Sequence, residues 1–158
     1  MLPRSSLTRC LALDLGDRRI GVASGTLETG LSQPLEVIVR DPGDRDVWRR
    51  LREIVRRENA GQIVVGDPVN MNGSVGEQAL AARRFARRLR NAIRQAKVEL
   101  FDERLSSFSA DEWMLRDGIK PAKRRQVRDA YAAAVILRDY FASRPGSYSI
   151  ANADNHPV

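Results

Sequence analysis

The order of predicted secondary-structure elements is the feature that most limits the folds open to this chain. Two short apolar runs separated by a turn predict a β-hairpin, and after a third run amphipathic helices alternate with strands. Strands are predicted at 9–15, 20–24, 35–39, 63–66 and 98–103. Helices are predicted at 45–59, 77–96, 107–116 and 122–142. A hairpin followed by this alternation predicts an α/β fold, in which helices flank a mixed five-stranded sheet.

Several local signals set the expected boundaries. Pro34 is expected to break the chain before the third strand, and Asp44 is a candidate N-cap for the first helix. Ser74 and Glu77 match the capping-box pattern before the second helix. The chain has 158 residues, which suits one domain. We therefore expect a single domain at 9–142 between an N-terminal tail at 1–8 and a flexible C-terminal tail at 143–158.

The scarcity of cysteine and histidine excludes several chemistries. Cys10 is the only cysteine, so the chain cannot form an internal disulfide, which is compatible with a cytoplasmic location. His156, the only histidine, lies in the predicted tail, which argues against Ser-His and Cys-His catalysis and against a Cys/His zinc site. No run approaches the ~20 apolar residues that span a bilayer, so we expect no membrane partner.

The chain is basic, with a net charge of +7, and its charge distribution favours a nucleic-acid partner over a membrane surface. On the helix predicted from residue 77, basic residues fall in one stripe without an intervening acid. The stripe comprises Arg83, Arg87, Arg90, Arg94 and Lys97. A second basic cluster, before the last helix becomes rich in alanine, contains Lys123, Arg124, Arg125 and Arg128. Arg18 and Arg19, in the first turn, could also reach a phosphate backbone. Trp48 and Trp113 fit apolar helix faces, which favours packing over base stacking.

Three acidic residues lie where strands end or on the last helix. Asp14 ends the first strand, Glu103 ends the fifth on the same face as Phe101, and Asp129 is on the last helix. Each has an ordinary explanation as a turn, surface-pair or boundary residue. Together, in a chain with no competing His or Cys site, they suit Mg²⁺ or Mn²⁺ and two-metal phosphodiester hydrolysis.

Four segments of the chain resemble the YqgF/RuvX family, which is similar to Holliday-junction resolvases. They are LDLGDRRIGVA at 13–23, IVVGDPVNMNGS at 63–74, DERLSS at 102–107 and KRRQVRD at 123–129. The resemblance implies a ribonuclease H-like fold and a metal-dependent nuclease, with catalytic acids at Asp14, Glu103 and Asp129. It also implies maturation of the 5′ end of 16S ribosomal RNA or, in an older interpretation, cleavage of Holliday junctions.

One residue departs from the family pattern, and several alternatives stay open. Asp67 stands where the family usually has an apolar residue, and it could bind metal, pair with a basic residue or alter substrate preference. The substrate could be precursor rRNA, single-stranded DNA or branched DNA, and symmetric junction cleavage would require a homodimer. The first turn also resembles the phosphate loop of the actin, hexokinase and Hsp70 ATPases, whose second lobe is missing here. A non-catalytic nucleic-acid-binding module is the remaining alternative.

Overall fold

The computed structural model describes residues 7–105, 109–143 and 148–149. The strands are β1 (Arg9–Leu15), β2 (Arg19–Thr26), β3 (Leu31–Val39), β4 (Gln62–Asp67), β5 (Lys97–Asp102) and β6 (Tyr148–Ser149). The helices are α1 (Arg45–Glu58), α2 (Glu77–Ala92), α3 (Ala110–Arg116) and α4 (Pro121–Ala142). From β1 to α4 this order matches the prediction.

The strands form one mixed sheet in the order β3-β2-β1-β4-β5-β6. Antiparallel pairing joins β1 to β2 and β2 to β3, whereas β1, β4 and β5 are parallel. The five predicted strands are therefore confirmed. The two-residue β6 extends the sheet by pairing with β5 in a segment predicted to be a tail. Residues 1–6, 144–147 and 150–158 of the predicted tails lie outside the described residues.

The two faces of the sheet carry different cores. The larger core, which includes Leu11, Leu13 and Val65, lies under α1 and α2. The smaller core, which includes Ala12 and Val64, lies under α4, whose alanines allow close approach to the sheet. Successive strand residues point to opposite faces, so an acid at a strand end belongs to one face or the other. No helix in the described ranges is long and apolar enough to span a membrane.

The structure differs from the predicted boundaries at three places. β3 runs through Pro34 because this strand lies at the sheet edge, beside an irregularity in its pairing with β2. The Asp44 side chain binds Arg40 instead of capping α1, and the Asp41 carboxylate accepts from the first backbone amides. The Ser74 hydroxyl bonds to Asn72 within the loop, so the predicted capping box does not form.

Two helices are also shorter than predicted. α2 ends at Ala92 instead of residue 96, which leaves Arg94 in the following turn and Lys97 at the start of β5. α3 begins at Ala110, where the Ser109 hydroxyl accepts a hydrogen bond from the Glu112 amide. Residues 107 and 108, which were predicted to be helical, lie outside the described part of the chain.

Candidate active site

The alternation of side chains along the central strands sorts the acidic residues by face. Asp14 lies two residues after Ala12, on the side of the sheet that α4 covers. Glu103, which was predicted to end the fifth strand, instead begins a 3₁₀ turn (Glu103–Leu105) directly after β5, and its side chain lies on the same side. Asp67 lies two residues after Val65 and faces α2 instead. The sheet therefore brings Asp14 and Glu103 together and directs Asp67 to the opposite face.

The position of Asp129 depends on a close contact between α4 and β2. Gly21 pairs with Asp14 across the hairpin, and the Asp129 backbone lies directly over this glycine. A Cβ at Gly21 would be 1.8 Å from the Asp129 carbonyl oxygen, so no larger residue fits without moving the helix. The absence of a side chain at Gly21 thus allows α4 to bring Asp129 near Asp14.

Asp14 and Glu103 share the wall of a cavity of about 150 Å³, enough for a few water molecules. Gly66 provides the space for Glu103, because a Cβ there would be 2.3 Å from its Oε1 atom. Arg40, at the end of β3, and Gln78, on α2, line the same cavity. A second cavity under α4 also reaches Asp14 and Glu103, so their carboxyl groups are accessible from two sides.

The electrostatics of the two shared acids are unfavourable to their charged forms. Burial, and then the charge of Asp129, raise the pKa of Asp14 from 3.8 to about 6. Burial raises the pKa of Glu103 from 4.5 to about 7, with further contributions from Asp14, Asp67 and Asp102. A cluster of carboxyl groups that repel one another in a partly buried cavity is typical of a functional site and would be relieved by a cation.

Asp129 is held by a cation of the protein itself. Its Oδ2 atom accepts a hydrogen bond from the Arg19 Nε atom at 2.9 Å, and both side chains are partly exposed. Among the residues that the structure describes, no three His, Cys, Asp or Glu side chains form a group that could hold a metal ion. The described arrangement thus joins Asp14 to Glu103 in one cavity, whereas Asp129 pairs with Arg19.

Asp67 forms an ion pair with a residue predicted to bind nucleic acid. Arg83 donates from Nη2 and Nε to the Asp67 Oδ2 atom at 3.0 and 3.2 Å. The Asp67 side chain is fully buried, and the Arg83 side chain is only 11% exposed. Of the roles considered for Asp67, the structure therefore supports pairing with a basic residue. Arg83 turns inward and does not share an outer surface with Arg87 and Arg90.

The remaining basic residues lie in several environments. Arg87 and Arg90 are exposed on α2, whereas Lys97 belongs to β5 and pairs with Glu99 at 3.2 Å. On α4, Lys123 and Arg125 are exposed. Arg124 donates to the Ile119 carbonyl, and Arg128 pairs with Asp111 at 3.2 Å. Arg18 is exposed in the turn after β1. The predicted basic stripe is therefore shorter than expected.

The first turns of α4 extend beyond the acidic residues. The helix passes Asp14 at Asp129 and ends near Tyr140, which bonds to Gln62 at the start of β4. The helix thus runs from the carboxyl end of β1 towards the amino end of β4. Residues 121–128 precede Asp129 and therefore extend beyond Asp14. Lys123 and Arg125 are exposed on this end of the helix.

Several residues that line the cavity were not predicted from the sequence, among them Arg40, Gly66 and Gln78. Arg40 follows β3, which is parallel to β1, so its position after a strand end could have identified it. Gly66 directly precedes Asp67, and nothing in the sequence indicated that its missing side chain makes room for Glu103. Gln78 lies in the first turn of α2, and only the packing of that helix brings it to the cavity.

Two proteins of known sequence are similar to this chain over most of its length. A protein from Chloroflexus aurantiacus named "Putative pre-16S rRNA nuclease" is 40% identical over 134 residues, covering 85% of this chain and 86% of the relative. A protein of the same name from Geobacillus kaustophilus is 44% identical over 138 residues, covering 86% of this chain and 99% of the relative.

A solved structure supports the fold. The structure titled "T. thermophilus RuvC in complex with Holliday junction substrate" matches with a TM-score of 0.52 and 15% identity, covering 88% of this chain and 97% of that one. At this identity the match supports the fold alone, which is the predicted ribonuclease H-like arrangement. The family model named RuvX and described as "Holliday junction resolvase" matches residues 8–143. The chain therefore belongs to the RuvX family, a nuclease family with a ribonuclease H-like fold.

Proposed function

We propose that this protein is a metal-dependent nuclease that hydrolyses phosphodiester bonds in precursor 16S rRNA during maturation of its 5′ end. The observation that carries the proposal is the pair formed by Asp14 and Glu103, two partly buried acids in one cavity with raised pKa values. The substrate follows from relatives at 40–44% identity that are named for this RNA.

The donor set fits a hard divalent cation. Carboxylate oxygens are preferred ligands of Mg²⁺ and Mn²⁺, and the repulsion between Asp14 and Glu103 would be offset by such an ion. Asp14 and Glu103 would hold the metal, and Asp129 would join them from α4 after exchanging its hydrogen bond with Arg19 for the cation. A pair of such ions about 3.5–4 Å apart would supply activation of water and stabilisation of the leaving oxygen.

The protein's own residues would bind and orient the RNA. Arg40 is fixed at the cavity by hydrogen bonds to the Gly16 carbonyl and to Asp44, whose carboxylate offsets its charge, so it would position a phosphate by its remaining N–H groups without a large reorganisation. Lys123 and Arg125, on the projecting end of α4, would contact the phosphate backbone on either side of the cleaved bond. These contacts position the substrate without reading its sequence.

A second candidate function is cleavage of branched DNA. It is favoured by the description of the family model as a Holliday junction resolvase. Symmetric junction cleavage would require a homodimer that presents two sites.

A precursor of ribosomal RNA would be met in the cytoplasm, the compartment that the single cysteine also favours.

Side-by-side cleavage assays test the proposal. Precursor 16S RNA, single-stranded DNA and a four-way DNA junction are incubated with the protein in Mg²⁺, in Mn²⁺ and in EDTA. We expect metal-dependent cleavage of the RNA and its loss in Asp14→Asn, with RNA binding retained. Asp46→Asn, which changes an exposed acid on α1, serves as the matched control. Preferential junction cleavage would favour the second candidate, and binding without cleavage of any substrate would favour a non-catalytic module.

A further inference from the structure

A groove between α1 and α2 combines an aromatic ring with several arginines. Trp48, on α1, is half-buried and stacks on the buried Phe85 ring at 4.8 Å between centroids, with 17° between the planes. The guanidinium of Arg88, which lies on α2, is 5.1 Å from the Trp48 ring centroid. Trp48 thus contacts the core through Phe85 and is also in contact with the exposed Arg88 guanidinium.

The groove is strongly cationic. Arg45, Arg52 and Arg88 line it with Trp48, Asn91 and Ala92, and none of these six residues is acidic. Elsewhere on α1, Arg49, Arg50 and Arg57 all pair with acidic side chains. Within the described ranges, no ion pair involves Arg45, Arg52 or Arg88. Ion pairs among the described residues therefore do not offset the charges of these three arginines.

The groove is connected to the acidic cavity through one side chain. Arg40 lines the cavity that contains Asp14, and its guanidinium also lies 5.8 Å from the Phe85 ring centroid. Phe85 in turn supports Trp48 and Arg88. The successive separations of 5.8, 4.8 and 5.1 Å from Arg40 through Phe85 and Trp48 to Arg88 put the cavity wall and the groove within the span of a few nucleotides.

We propose that the groove between α1 and α2 binds an unpaired segment of the substrate strand, with one nucleobase stacked on the Arg88 guanidinium. Arg45 and Arg52 would contact the neighbouring phosphates. The proposal rests on the proposed nuclease function, because it assigns the groove to the flank of the RNA that enters the cavity.

The chemistry of the groove favours an unpaired strand over a duplex. Bases of single strands stack on aromatic rings and on arginine planes, whereas bases inside a duplex are already stacked on their neighbours. The contact with Trp48 holds the Arg88 guanidinium at the surface, so a base could bind on the outer side of the guanidinium without separating Arg88 from the ring. The contacts involve base faces and phosphates, and the groove would therefore bind RNA and DNA single strands of many sequences.

Fluorescence anisotropy in EDTA tests the groove without cleavage. The full chain is titrated into a labelled 12-nucleotide single-stranded RNA, the same sequence as DNA, and a 12-base-pair RNA duplex. Arg88→Lys keeps the charge but removes the planar surface, so we expect single strands to bind about tenfold more weakly and the duplex to be unaffected. Arg52→Gln should reduce the slope of log K against log salt by about 0.7.

Arg56→Gln is the matched control for Arg52→Gln, because it removes the same charge from an exposed position of α1 outside the groove. In a Trp113→Phe background, quenching of Trp48 fluorescence by the single-stranded RNA reports binding at the groove directly. Equal losses for Arg88→Lys and Arg56→Gln, or unchanged Trp48 fluorescence at saturation, would overturn the proposal.

The groove and the nuclease function fail separately. Cleavage of precursor RNA with unchanged KM in Arg88→Lys would overturn the groove and leave the function intact. Binding that depends on Arg88 in a protein that cleaves nothing would support the groove as a single-strand site and remove the proposed function.

Discussion

The Asp129 carbonyl oxygen lies 1.8 Å from the point that a Cβ atom at Gly21 would occupy. We predict that Gly21→Ala shifts α4 away from β2 and moves Asp129 away from Asp14. Because the clash is with backbone atoms, relief requires movement of the helix, and the free energy of unfolding should fall by at least about 2 kcal/mol. Cleavage of precursor RNA should be lost as well. Urea unfolding and the cleavage assay measure the two effects.

Gly61→Ala is the control for the backbone component of this change. A Cβ at Gly61 would meet nothing within 4 Å, so we expect near-normal stability and activity. Equal destabilisation of the two variants would contradict the role assigned to the contact between Gly21 and α4.

The buried pair of Asp67 and Arg83 leads to a second prediction. Removal of one partner leaves a buried charge without its counterion, so Asp67→Val alone should destabilise the protein by about 3–5 kcal/mol. The double variant Asp67→Val with Arg83→Leu should recover most of this loss, since apolar residues can replace a buried ion pair. Chemical denaturation of the single and double variants gives the coupling energy.

Arg90→Gln, on the exposed surface of α2, is the control and should change stability by less than about 0.5 kcal/mol. If Asp67 were instead a metal ligand, the double variant would be stable but would lose its stabilisation by Mn²⁺. We expect that stabilisation to persist.

The faces of the acidic residues show how much the sequence could predict. Strand alternation predicted Glu103 on the face of Phe101, and Glu103 lies on that side although β5 ends at Asp102 and Glu103 begins a 3₁₀ turn. The same argument would have separated Asp67 from Asp14 had the register of β1 and β4 been known. That register is a tertiary property, because no local signal links Leu13 to its partner Val65, which lies far along the chain. The Arg19–Asp129 pair depends on α4 crossing β2, which the sequence did not indicate.

The wrong boundaries have a common physical origin. Pro34 and Ser74 were interpreted from local preference alone, as a strand breaker and a helix cap. At a sheet edge the missing amide of Pro34 has no cost, and in the loop Asn72 competes for the Ser74 hydroxyl. The roles of Pro34 and Ser74 therefore depend on their tertiary surroundings. Hydrophobic periodicity was sufficient to predict the order of the elements from β1 to α4.

The projecting end of α4 leads to a third prediction. Arg125→Gln should raise KM for precursor RNA several-fold with little change in kcat, because the residue is exposed and would contact a phosphate without touching the reacting bond. Steady-state kinetics at two salt concentrations measure both parameters. The Arg56→Gln variant removes the same charge on the far side of the sheet, and a comparable rise in KM there would indicate a general charge effect.

The raised pKa values of Asp14 and Glu103 predict the pH dependence of stability of the metal-free protein. Between about pH 4 and 7 the folded state retains protons that the unfolded chain has released. Their contribution to stability is therefore complete below this window and is lost as the pH rises through it, at up to about 1.4 kcal/mol per pH unit for each group.

Glu103→Gln should remove part of this pH dependence, because the variant has no carboxyl group to ionise in the cavity. Urea unfolding in EDTA at intervals from pH 4 to 8 gives the comparison. Glu112→Gln, at an exposed position on α3, should follow the wild-type profile. A Glu103→Gln profile parallel to that of the wild type would show that burial does not penalise the Glu103 charge.

The same repulsion predicts opposite effects of one substitution with and without metal. In EDTA, Glu103→Gln should raise the melting temperature, because it removes a charge that is disfavoured by burial and by Asp14. In Mn²⁺ the wild-type protein should be stabilised by about 2.7 kcal/mol when the ion is at a hundred times its Kd, whereas the variant should gain much less. Thermal unfolding in both buffers measures this crossover, and Asp46→Asn should respond to the ion as the wild type does. A variant that is stabilised by Mn²⁺ as strongly as the wild type would place the metal away from Glu103. The crossover arises because the same charges act in both buffers: buried carboxylates that repel one another destabilise the metal-free fold, and a bound cation offsets that repulsion.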